Sequence, residues 1–216
     1  MLVTSRSAVE YQAMFDLSPA DLAGSVLDCC AGGSSFVASS SNAVAVDPAY
    51  ALGHAELARL VHAGLHDGDQ IILANRDRFE WGWYGSVERR AAIRLAAANS
   101  FLADLRARPA RYVAGALPDL PLASDGVDLA LCSHLLFTWA NQLSESWHLQ
   151  AIRELLRVTR REVRIFPLVL QGTADPIPFL SRLRSSLPAS ELREVPYRFQ
   201  RGADQMLVID ARGQNP

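Results

Sequence analysis

The chain has 216 residues, half of them hydrophobic, with 21 basic and 23 acidic side chains and a formal net charge of −2. That length and apolar content suit one well-buried domain, 1–216, and the near balance of charge, with no basic run, argues against a nucleic-acid partner. Every basic residue of fixed charge is arginine, which excludes Schiff-base chemistry, a lysine general base and a Tyr-x-x-x-Lys dehydrogenase site.

Residues 7–17 place Val9, Met14, Phe15 and Leu17 on a short helix, and the run SPAD at 18–21 reads as a second helix start with proline in its first turn. Residues 26–36, VLDCCAGGSSF, are an apolar run closing on Asp28, followed by a small-residue turn. Residues 43–47, AVAVD, are a second apolar run closing on Asp47. Together they read as the opening β-turn-α-β unit of a nucleotide-binding sheet. Ala31, Gly32, Gly33, Ser34 and Ser35 are small enough for a ligand to approach the backbone, so a bulkier residue at Gly32 is expected to block it. Asp47 is placed to accept hydrogen bonds from both hydroxyls of a ribose. NAD(P) and S-adenosylmethionine both meet that description.

About sixty residues then separate the second strand from the third, more than a minimal crossover needs. Helices are predicted near 49–63 and over 86–108, and between them lies a segment, 68–85, that includes IILANRDRFEWGWYG and is expected at the mouth of the site. Residues 111–117 give a third strand. Residues 127–132 form an apolar run broken only by Asp128, a central parallel strand. Residues 145–158 predict a helix with Trp147, Ile152, Leu155 and Leu156 inward, and 162–168 a further strand. The tail, 194–209, has two strand-like runs around QRGAD.

The run beginning at Asp28 resembles motif I of class I S-adenosylmethionine-dependent methyltransferases, D-x-G-x-G-x-G, with Asp28, Cys30, Gly32 and Ser34 at its four defined places. RYVAGAL at 111–117, LPL at 120–122, GVDLALCSH at 126–134 and AIRELLRVTRREVRIFPL at 151–168 resemble the family's later landmarks, in the same order. YQAMFDL, LDCCAGGSSF, LPDLPL, LALCSHLLF, EVRIFPL and VPYRFQRGADQMLVI together resemble small bacterial methyltransferase-like proteins. The resemblance implies an α/β, Rossmann-like fold with a mostly parallel seven-stranded sheet, a terminal antiparallel hairpin and helices on both faces. It also implies S-adenosylmethionine as cofactor and an N-terminal helical lid, 1–22, over it.

On that pattern Asp28 lies near the amino-acid end of the cofactor and Asp47 at its ribose. Tyr11, Phe15, Cys29, Cys30, Ala31, Gly32, Pro48, Ala116, Leu117 and Ser133 are the further contacts expected. Ala116 and Leu117 stand where the family usually has an acid for the adenine amino group, which leaves adenine to backbone groups. His134, just past the fourth strand, is a candidate base for a phenol, thiol or acid, or else a helix cap. Tyr84, flanked by glycines nearby, is a candidate contact for the acceptor, whereas Phe79, Trp81 and Trp83 alternate as an extended segment burying one face would.

The expected activity is methylation of oxygen, nitrogen or sulfur on a small molecule. A methyltransferase-like binding protein without turnover is the alternative, and an NAD(P)-dependent oxidoreductase is disfavoured because CAGGSS lacks the third glycine or alanine of G-x-G-x-x-G. Cys29, Cys30 and Cys132 on one rim admit a metalloid methyltransferase, although three cysteines without ligand spacing predict no metal site. The start MLVTSRSAVEYQ lacks an apolar signal segment and no run is long enough to span a bilayer. A cytoplasmic monomer or homodimer with no membrane or nucleic-acid partner is therefore expected.

Overall fold

The computed structural model describes residues 3–213. Serine caps organise its start. Ser7 Oγ accepts from the Glu10 amide while Glu10 Oε2 takes the Ser7 amide at 2.7 Å, a capping box that opens α1 (Ala8–Met14). Ser18 and Asp21 repeat it at α2 (Pro19–Ala23). The inward face of α1 is Glu10, Tyr11, Ala13 and Met14, and Val9, on the same helix, stands 64% exposed.

Strand β1 (Val26–Cys29) pairs in parallel with β2 (Ala43–Val46) on one side and β4 (Val127–Ser133) on the other. β3 (Tyr112–Val113) extends the sheet beyond β2, and β5 (Thr159–Phe166) beyond β4. β7 (Gln205–Asp210) runs antiparallel between β5 and the edge strand β6 (Ser190–Glu194). The order β3-β2-β1-β4-β5-β7-β6, parallel except at its hairpin end, makes the seven-stranded, Rossmann-like sheet with a terminal antiparallel hairpin that was expected. Because the chain winds out from β1 to β3 and then returns to β4 on the other side, a crevice opens above the carboxyl ends of β1 and β4.

Period-two alternation assigns the faces. Leu129 and Leu131 of β4 join the core covered by α3 (His54–Ala74) and α4 (Val87–Ala107), with Leu57, Val61, Ala98 and Phe101. Ala130 and Cys132 point to the opposite core under α5 (Glu145–Val158), with Ile152 and Leu155. Each fully buried leucine on either face stabilises the sheet by about 2 kcal/mol. Asp128 sits at a register shift between β4 and β5. Its carboxylate accepts from the Ser25 amide at 2.8 Å and from Arg160 Nε at 2.9 Å, and those bonds hold its pKa well below the ordinary range.

Several expectations are corrected. The helix expected to end near residue 63 starts at His54 and runs to Ala74, so the first part of 68–85 is helical. The remainder is a short 3-10 turn, Arg76–Arg78, and further turns in place of an extended segment. Phe79 and Trp81 pack on Phe199 and Trp83 on Tyr197, at centroid distances of 4.6, 5.5 and 5.2 Å. Those rings are thus partly buried by the link between β6 and β7. The first strand of the hairpin is Ser190–Glu194, earlier than the run beginning at Glu194, and a short helix α6 (Leu180–Arg184) precedes it. Among the described residues no helix is long and apolar enough to cross a membrane.

Candidate functional site

Above the carboxyl ends of the central strands lies a cavity of about 1060 Å³. Its wall has two chemically distinct halves. One is built from the tips of β1, β2 and β3: Cys30, Gly32, Asp47, Pro48, Ala116 and Leu117. The other joins His134, just past β4, and Phe166, the last residue of β5, to Arg6, Arg90, Arg94, Tyr197 and Phe199.

In the first half the chain leaves β1 through Cys30, whose φ of 61° lets its amide reach Val46 O at 2.8 Å. Gly32, at φ 56°, then presents its N–H to Asp47 Oδ2 at 2.9 Å, while Asp47 Oδ1 accepts from the Ala49 amide at the same distance. Burial pushes the Asp47 pKa up and the two amides pull it down. Tyr50 closes the turn by donating to Gly32 O at 2.8 Å.

The small residues serve a purpose that the sequence reading did not foresee. Residues 3–6 run across the turn as a strap: the Gly33 amide donates to Thr4 O and the Ser35 amide to Arg6 O, each at 2.9 Å. A Cβ on Gly32 would stand 3.0 Å from Thr4 O, one on Gly33 2.5 Å from Ser5 Oγ, and one on Gly64 of α3 2.0 Å from Val3 O. On that side the close approach that glycine permits is made by the chain itself, not by a ligand. Blocking of a ligand at Gly32 is therefore corrected: a larger residue there meets the strap first.

In the second half His134 ends β4 at φ 57°, its amide donating to Phe166 O at 2.8 Å and its Nδ1 lying 2.8 Å from Ser133 Oγ. Burial, then the positive charges of Arg6 and Arg94, drive its pKa well below 6.5. The imidazole is neutral at physiological pH, and the tautomer with Nδ1–H donating to Ser133 leaves the Nε2 lone pair available. Behind this wall Glu10, 1% exposed, pairs with Arg94 Nη2 at 2.7 Å. Tyr84 bonds the same carboxylate, receives Arg94 Nη2 at 3.1 Å and lies 2.7 Å from the Tyr197 hydroxyl. This network explains the carboxylate on the inner face of α1.

Of the residues singled out from sequence, Cys30, Gly32, Asp47, Pro48, Ala116, Leu117, Ser133 and His134 stand together on the cavity wall. Tyr11, Phe15, Asp28, Cys29 and Ala31 lie beneath it, all buried. Tyr11 donates to Asp28 Oδ1 at 2.9 Å and stacks on Phe36, and Phe15 packs on Phe166. Among the described residues Asp28 Oδ2 has no hydrogen-bond partner, and burial raises the Asp28 pKa to about 7 despite the Tyr11 bond. Tyr84 also lies behind the wall, fully buried, and burial raises its pKa.

The thiols give no support to a metalloid site. Cys29 and Cys30 Sγ are 3.8 Å apart and Cys132 is the register neighbour of Cys29, but all three pKa values are raised, which disfavours thiolates. Among the described residues no group of three His, Cys, Asp or Glu is arranged to hold a metal ion. Sequence reasoning missed Arg6, Arg90, Arg94, Tyr197 and Phe199. One signal for them existed, since Arg90 and Arg94 share a helical stripe with Ala97, Ala98 and Phe101, and arginine on a buried stripe requires a partner.

No family model matches the chain. An uncharacterized protein of the archaeon Methanocaldococcus jannaschii is 26% identical over 213 residues, 96% of this chain and 95% of that one. Among solved structures, a SAM-dependent methyltransferase from Aquifex aeolicus aligns with 87% of this chain and 80% of its own, at 12% identity and a TM-score of 0.42. The magnesium protoporphyrin IX methyltransferase of Synechocystis PCC 6803, solved with bound SAM, aligns with 95% and 81%, at 11% identity and 0.46. A putative S-adenosyl-L-methionine-dependent methyltransferase of Methanococcus maripaludis aligns with 96% and 84%, at 13% and 0.44.

Proposed function

We propose that the protein is an S-adenosylmethionine-dependent methyltransferase acting on a small-molecule acceptor. The observation that carries this reading is the two-part cavity at the point where the sheet reverses its winding, with a buried acid at the tip of β2 and a neutral histidine at the tip of β4.

The residues present fit the cofactor. Each Asp47 oxygen holds one backbone amide, and a carboxylate oxygen has a second lone pair for a ribose hydroxyl. Ala116 and Leu117 offer a small apolar wall for a flat base. When bound, S-adenosylmethionine supplies an electrophilic methyl group on a sulfonium centre.

The chain itself must then orient the acceptor, exclude water and take up the acceptor's proton. Phe166, Tyr197 and Phe199 surround the acceptor with apolar surface. His134 Nε2 accepts the proton from an acceptor O–H or S–H in the tautomer whose Nδ1–H donates to Ser133 Oγ, and the 2.8 Å contact with Ser133 orients the ring. Burial and the charges of Arg6 and Arg94 favour the neutral, basic form of His134, so no acid limb near pH 6.5 is expected in kcat/KM.

Titration of the folded protein with S-adenosylmethionine tests the reading. Saturable binding that weakens at least tenfold in Asp47→Ala is expected, and equal affinity in that variant, shown folded by circular dichroism, would sink it. One observation favours the second reading, a binding protein without turnover: the strap of residues 3–6 fills one side of the glycine turn. That reading requires cofactor-independent ligand binding and no methyl transfer to any acceptor.

A further inference from the structure

The basic half of the cavity carries an unbalanced charge. Arg94 has Glu10 at 2.7 Å and Arg90 has Asp69 at 2.8 Å. Arg6, on the same wall, has no carboxylate within salt-bridge distance among the described residues. Its hydrogen bond goes to Thr4 Oγ1 at 2.8 Å, and its Nε, withdrawn from solvent, has no partner. Burial, and then the neighbouring Arg94, lower its pKa, and Tyr197, Tyr11 and Glu10 offset part of that. Arg6 is partly buried, and a guanidinium whose Nε is shut from water with no counter-charge beside it is best matched by an anion that a ligand supplies.

The groups around Arg6 define that ligand. A guanidinium fork matches the planar, two-oxygen geometry of a carboxylate. Phe166 lies 5.7 Å from the His134 ring, and Tyr197 packs edge-on to Phe166 at 6.0 Å, so flat aromatic walls stand beside the histidine. Arg6 feels Arg94 and Tyr197 most strongly among its charged and titratable neighbours, and both belong to the half of the cavity away from Asp47. We infer that the acceptor is a small aromatic carboxylate whose carboxylate seats on Arg6. The inference rests on the methyltransferase reading for the word acceptor, but the anion seat itself does not require it.

Isothermal titration of the full chain with 4-hydroxybenzoate and 4-hydroxycinnamate, each against its carboxamide and with and without S-adenosylhomocysteine, tests the seat. Carboxylates are expected to bind at least tenfold more tightly than amides. Arg6→Met should remove the preference, Arg6→Lys should keep part of it, and both should change S-adenosylhomocysteine affinity less than threefold. Equal binding of acid and amide, no binding of either, or a preference that survives in folded Arg6→Met overturns the inference. So does a tenfold loss of S-adenosylhomocysteine affinity in Arg6→Met with the carboxylates unaffected, because the anion is then the cofactor's own. Carboxylate preference without any S-adenosylhomocysteine binding keeps the anion seat and removes the methyltransferase reading.

Discussion

The two halves of the cavity are built in opposite ways. The Asp47 half comes from strand tips and the turns just beyond them, where Cys30 and Asp47 directly follow short apolar runs and backbone amides fix Asp47. The Arg6 half joins the strap, α4, the end of β4 and the link before β7, held by side chains that meet only after folding. Backbone-held geometry tolerates change in distant side chains, whereas a site held by a buried ion-pair network fails when one member is removed.

That contrast is sharpened most by Glu10→Ala, which leaves Arg94 buried without its carboxylate. A loss of about 3–5 kcal/mol is expected in urea unfolding, with loosening of Tyr84 and Tyr197. A cost below about 1 kcal/mol would mean that the network does not hold the basic half together. Gly64→Val comes next, because its Cβ meets Val3 O at 2.0 Å. We expect about 2–3 kcal/mol of destabilisation and new trypsin cleavage after Arg6 as the strap lifts; an unchanged digest would show that the strap does not depend on Gly64.

His134→Asn retains a residue type that tolerates positive φ. Once an acceptor is known, it should lower kcat by about 100-fold or more while leaving cofactor affinity within twofold. Unchanged kcat would remove His134 from proton transfer. The smallest effect belongs to Asp28. Burial raises its pKa from 3.8 to about 7, so the folded state retains a proton that the unfolded chain releases. Its contribution to stability therefore falls as pH rises from about 4 to 7 and levels off above that. Asp28→Asn should flatten this component and raise stability at pH 8 by roughly 1–3 kcal/mol, read from urea unfolding at pH 5 and 8. An unchanged slope between those pH values would place the Asp28 pKa near its ordinary value.

The same division decided what could be read from sequence. β1, β2, β4 and α5 were legible because continuous apolar runs and the helical spacing of Ile152, Leu155 and Leu156 are set within a few residues. Phe79, Trp81 and Trp83 read as one extended segment because alternating aromatics look alike whether they pack on a sheet or on a loop 120 residues away. Phe199, which receives Phe79 and Trp81, is visible only in three dimensions. Asp47 and His134 could be placed by the strands they follow, while Arg6 could not, since nothing near it in sequence marks a cavity. The glycine turn gave the right conformation with the wrong neighbour, for a backbone strap and a ligand make the same steric demand.

The central claim, that this cavity seats S-adenosylmethionine, is tested most directly by calorimetric titration of the reduced protein with S-adenosylhomocysteine beside NADH. Saturable one-to-one binding of S-adenosylhomocysteine, with no heat from NADH, is the expected result. A folded protein that binds NADH alone, or neither compound, would contradict the claim.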